Sequence, residues 1–237
     1  LKHGTQKLDS ERARSIIVLM VLSVAALVLP SLAHFLHTPA SQHENTLSLI
    51  VSAILLLLFA LTLPSSLRRG KGEQVEESLQ PEAPRWPVAL AVGLLALAAV
   101  LAAFVSDWFV HSLEPAMQIL HISDAFAGLV IVAIAGNAIE NVVGVQLAAK
   151  NRSEYAFSVV INSPMQIALV LAPVLVILSQ VLGFAALTLV FSPMLIVSVA
   201  IAVILSAFIT FDGESNWIEG AALIAVYVII AASFWWG

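Results

Sequence analysis

Apolar residues gather along this chain in seven runs, at 15–36, 46–64, 86–111, 122–149, 154–182, 187–210 and 216–236, with most polar residues in the short intervals between them. The runs show none of the polar–apolar alternation of half-buried strands, and each reaches the roughly 17–25 residues that cross a bilayer as a helix. A backbone in lipid must satisfy its own hydrogen bonds, which favours helices. The pattern predicts an all-α, multi-pass membrane protein of seven transmembrane helices. Composition agrees: 60% of residues are hydrophobic and 11% charged, with a mean hydropathy of +1.01, which excludes a soluble domain with a large core.

Charge sets the orientation. The net charge is −5, but the placement of the cations says more than the sum. Lys2, Lys7, Arg12 and Arg14 precede the first run. Arg68, Arg69, Lys71 and Arg85 lie between the second and third, and Lys150 and Arg152 between the fourth and fifth. Strict alternation of seven spans puts these three segments on one side, and the other connections carry no Lys or Arg. The positive-inside rule then predicts a cytoplasmic N-terminus and Gly237 outside. The longest polar interval, 65–85, contains Glu73, Glu76, Glu77 and Glu82 with Pro81 and Pro84. It reads as an acidic cytoplasmic linker whose basic start suits anionic headgroups, dividing the chain into 1–64, 65–85 and 86–237. The absence of cysteine excludes disulfides and thiolate metal sites. Leu1–Arg14 is polar and not a signal peptide. A first residue other than Met reads as a chain beginning partway through a longer protein.

Candidate chemistry lies in two polar clusters inside apolar runs. Glu140 sits deep in 122–149, where an acidic side chain costs roughly 2.5–3.5 kcal/mol on insertion scales and therefore usually faces a cavity and carries function. Asn137 lies i,i+3 from it, on the same helix face. The next run carries Asn162-Ser163-Pro164-Met165-Gln166, in which Ser163 and Gln166 repeat that spacing. Pro164 lacks an N–H and predicts a mid-membrane helix break, a role Gly136 matches on the preceding run. Each cluster alone has a bland reading, a protonated Glu, a packing kink or a hydroxyl bonded to its own helix; two on consecutive helices favour a site. Asn137, Glu140, Ser163 and Gln166 offer about five side-chain oxygens, short of the 6–8 that Ca²⁺ takes. A single carboxylate also leaves a divalent ion uncompensated, and Asp107, Glu114, Asp124, Asp212, Glu214 and Glu219 lie near the ends of runs or in connections. The chain reads as half of a site. Asn141 and Asn162 are secondary candidates. Asp107 and His111 read as an interfacial pair or, second, an ion entrance; His34, His37 and His43 read as solvated, and Phe234-Trp235-Trp236 as an interfacial aromatic anchor.

Gly136-Asn137-Ala138-Ile139-Glu140, Ser163 with Gln166, and Asp212–Gly220 in this order resemble the calcium/cation–proton exchanger family of the calcium/cation antiporter superfamily. The resemblance implies two inverted halves of five helices joined by an acidic linker. The last five runs would be one half and the first two the tail of the other. It implies exchange of Ca²⁺ or a related divalent cation for protons by alternating access, with Asn137, Glu140, Ser163 and Gln166 holding the ion. No cofactor is implied beyond the transported Ca²⁺ and H⁺. The implied partners are the lipid bilayer and a missing N-terminal half; compactness and short connections favour a bacterial inner membrane. The chain departs from the family pattern at Asn141, where His is common, and at Asn162 and Pro164. A sodium/calcium exchanger and a non-transporting membrane scaffold are the rival readings. No nucleophile–base pair, metal triad or phosphate loop supports an enzyme, and nothing suggests nucleic-acid binding.

Overall fold

The computed structural model describes residues 4–7, 10–73, 86–183 and 185–236. The seven apolar runs reappear in order as α1 (Ser10–Phe35), α2 (Glu44–Glu73), α3 (Val88–Leu120), α4 (Asp124–Gly136) with α5 (Ala138–Ala149), α6 (Ser153–Val181), α7 (Pro193–Thr210) and α8 (Trp217–Ser233). The fourth run is the divided one, its halves meeting at 60°. Among the described residues five helices have the length and hydropathy of a span, six if α4 and α5 count as one; α8 is apolar but only 17 residues long. Most of the expected linker, 74–85, lies outside the described residues, and its first part, 65–73, continues α2. α3 likewise runs past 111, through Pro115, to a left-handed cap at His121. Hydropathy marks where lipid is met, whereas helical hydrogen bonding continues into the polar ends.

Local chemistry sets the starts. Ser192 accepts from Leu195 N with Pro193 next in the chain, and Asn216 and Glu219 form a reciprocal capping box. One small departure from an all-α chain appears: β1 (Gln6–Lys7) pairs antiparallel with β2 (Glu214–Ser215). In the packed body α1 lies along α7, α2 along α6, and α5 against α6. α3 buries none of its residues.

Three sets of contacts tie connections to one another and to the chain ends. β1 and β2 join the N-terminal segment to the α7–α8 connection. Ser123 joins the α3–α4 corner to the C-terminal end, its N–H donating to Trp235 O at 3.1 Å and its hydroxyl to Phe234 O. Gln180 Nε2 at the end of α6 reaches Asn45 O at the start of α2, at 3.5 Å.

The stretch before Pro193 is not helical, although its hydropathy predicts helix from 187. It is an extended strap whose alternate N–H groups end on serine hydroxyls. Leu187 N donates to Ser179 Oγ at 3.0 Å, Leu189 N to Ser48 Oγ at 3.0 Å, and Phe191 N to Ser31 Oγ at 2.9 Å. Ser31 Oγ in turn lies 3.1 Å from Leu189 O. Ser31 and Ser48 are fully buried and Leu189 is 1% exposed. Non-helical backbone in apolar surroundings survives only where such partners satisfy it. Ser31→Ala strips one N–H and one carbonyl of their partner and is expected to destabilise the protein by about 1–3 kcal/mol. A thermal melt in detergent reads this, and an unchanged midpoint would show that Phe191 N–H finds another acceptor.

Candidate functional site

The backbone turns at Asn137, with φ −105° and ψ 19°, immediately after Gly136 closes α4. This sets an amide side chain at the elbow of a bent span. Asn137 Nδ2 donates back to Ala133 O at 3.1 Å, and its Oδ1 accepts from Ser163 Oγ at 2.6 Å. The two polar clusters read from the sequence thus meet directly, across residues 26 apart. Asn137, Glu140, Asn141, Ser163, Pro164 and Tyr227 face a cavity of about 370 Å³. Glu140, Asn137 and Ser163 are each partly buried.

Close approach of α5 and α6 makes the cross-link possible. Gly144 is buried, and a Cβ there would lie 2.7 Å from Val160 Cγ2. Small residues at such crossings let membrane helices come together.

Gln166 is placed differently from the sequence expectation. It is exposed and lines an adjoining cavity of about 380 Å³ with Phe59 of α2; Ser163 borders both cavities. Pro164 does not break its helix. α-Helical structure runs on through it to Gln166, and the irregularity is a π turn just beyond, Ile167–Leu171. Proline forfeits only its own N–H, so the carbonyl one turn back, Val160 O, loses its helical donor while the chain keeps helical angles. Val160 also lines the Glu140 cavity. Asn162 donates to Ser158 Oγ at 3.2 Å on its own helix and lines neither cavity.

Asp107 and His111 are exposed on α3, away from both linings. His34 Nδ1 pairs with Glu44, while His37 Nδ1 contacts Phe35 O at 3.1 Å. Among the described residues no three His, Cys, Asp or Glu converge on a metal position. The closing aromatics are not one exposed anchor. Phe234 is 4% exposed, Trp235 stacks edge-on to Phe126 at 4.7 Å, and Trp236 stays outside at 83% exposure. Sequence reasoning missed Tyr227 and Gly144. Both look like ordinary residues of apolar helices, and only the packing gives them a place at the site.

Among the described residues the cavity therefore presents one carboxylate with amide and hydroxyl oxygens. This all-oxygen set suits a hard cation or a proton and offers nothing to a soft metal.

A family model described as sodium/calcium exchanger protein matches residues 90–236. The chain is 32% identical to the Ca²⁺/H⁺ antiporter of Aphanothece halophytica, over 99% of this chain and 67% of that protein. It is 33% identical to the Ca²⁺/H⁺ antiporter ChaA of Bacillus subtilis over the same shares, 99% and 67%. The solved structure of native YfkE superposes with a TM-score of 0.78 at 32% identity, covering 99% of this chain and 67% of that one. The chain thus spans about two thirds of the length of each of these relatives.

Proposed function

This chain belongs to the sodium/calcium exchanger protein family, among relatives named as Ca²⁺/H⁺ antiporters, and from that premise we propose that it exchanges Ca²⁺ or a related divalent cation for protons as a multi-pass membrane antiporter. The observation that carries this reading is the Asn137–Ser163 hydrogen bond beside Glu140, which gathers hard oxygens around a single titratable group at a helix elbow. Ca²⁺ entering the cavity displaces one proton from Glu140 and one from a partner carboxylate; two protons arriving from the other side displace Ca²⁺.

Charge balance extends the proposal. One Ca²⁺ exchanged for two protons leaves no bare charge in low dielectric only if two carboxylates share the site. Among the described residues Glu140 is the one carboxylate lining this cavity, so the reading calls for a second carboxylate beyond that lining. Alternating access between two inverted halves completes the reading, with the N-terminal end of this chain in the cytoplasm, an orientation that the grouping of the cations supports.

The test is ⁴⁵Ca²⁺ uptake into inverted vesicles carrying the protein, with and without an imposed proton gradient. Gradient-driven uptake that collapses with a protonophore supports proton coupling. Uptake that needs Na⁺ would make it a sodium/calcium exchanger, and no transport of any cation would leave a membrane scaffold. Gln166→Ala, in the adjoining cavity, should raise the half-saturating Ca²⁺ concentration more than it lowers the maximal rate. An unchanged half-saturation removes Gln166 from the ion's path.

A further inference from the structure

We propose that Tyr227 is a positioning residue for the Glu140 cavity, acting through the one carbonyl that the π turn of α4 leaves without a backbone donor. The proposal rests on the reading of that cavity as the ion's path. Residues Ala127–Val132 of α4 form a π turn, in which N–H groups bond to carbonyls five residues back. The return to α-helical spacing must skip an acceptor. Ala133 N–H reaches the carbonyls of Gly128 and Val130 and passes over Leu129 between them. The phenol of Tyr227, 98 residues further along the chain, donates to that skipped Leu129 carbonyl at 3.5 Å.

The placement has a consequence for the site. A π turn holds one residue more than the same stretch of α-helix, so annealing it away would rotate the C-terminal end of α4 by about 100° relative to its N-terminal end. That rotation would carry Asn137 and Glu140 with it. A carbonyl without a donor in apolar surroundings is the defect that drives such annealing, and Tyr227 removes that defect. The same ring forms part of the cavity wall. One side chain of α8 that lines the cavity therefore holds the register of α4, and that register aims Glu140 into the same cavity.

Tyr227→Phe keeps the ring and deletes the donor. In the protein carrying this chain, Tyr227→Phe should raise the half-saturating Ca²⁺ concentration about three- to tenfold, the scale of one net hydrogen bond, with the maximal rate within about twofold. Hydrogen exchange read by mass spectrometry should quicken across 127–137 in the absence of Ca²⁺, and not in α1 or α7. Both changes are required. Unaltered exchange overturns the proposal, because the turn is then held without the phenol; quicker exchange with unaltered half-saturation overturns it as well, because the register then has no bearing on the ion. Glu140→Gln measured in parallel separates the two readings. If it still transports, the assignment of the cavity fails. If it is inactive while Tyr227→Phe behaves like the parent, only the role of Tyr227 fails.

Discussion

Glu140→Gln is expected to abolish the proposed cation exchange while leaving insertion and folding intact. The substitution keeps the shape of the side chain and removes its charge and its titration, the two properties that the proposed antiport at this cavity requires. Loss of the carboxylate charge that would face the ion should lower ion affinity by about a hundredfold, the scale of about 3 kcal/mol at the low end for a charge partner that is only partly buried. The fold should hardly register the change. The Glu140 carboxylate anchors no hydrogen bond among the described residues, and an uncharged amide enters a membrane more easily than a carboxylate. Vesicle uptake beside a detergent melt separates the two effects. Uptake retained with a normal melt would remove Glu140 from the mechanism.

Gly144→Leu is the second large effect, and it reaches the site through packing alone. The first added carbon already falls 2.7 Å from Val160 Cγ2, well inside van der Waals contact. Val160 is β-branched and stiff at χ1, so it yields little, and overpacking of this kind costs about 1–3 kcal/mol. The strain is relieved by moving α5 off α6. That separation lengthens the Asn137–Ser163 bond, now 2.6 Å, which lies between the same two segments. Transport and melting temperature should fall together. Gly144→Ala is milder, because alanine gains about 0.5–1 kcal/mol of helix propensity against its smaller clash. Val160→Ala added to Gly144→Leu should restore part of both readouts, and its failure to do so would place the contact elsewhere.

Membrane class, the order of the helices and the two polar clusters were legible because each is a property of neighbouring residues. A run of apolar side chains reports its own transfer to lipid, and Glu140 stands out because a carboxylate is expensive there. The grouping of Lys and Arg at alternate connections is equally local. Pro164 shows the limit of this kind of reading. Its missing N–H is certain from sequence, but whether the chain answers by breaking or by widening a turn further along depends on what α6 rests against.

What tertiary structure alone decided involves pairs far apart in the chain. The bend at Asn137 and the crossing of α5 on α6 put Ser163 on Asn137 and turn Gln166 toward Phe59, although Ser163 and Gln166 share a spacing that looked like one face of one site. The serine-held strap before Pro193 joins residues up to 160 apart and reads as helix by hydropathy. Tyr227 meets the skipped Leu129 carbonyl only because a π turn shifts the register of α4. Hydropathy and spacing describe which face of an element is apolar or polar. The angle and register at which two elements meet depend on small residues, orphaned carbonyls and single side-chain hydrogen bonds, whose partners no local pattern names.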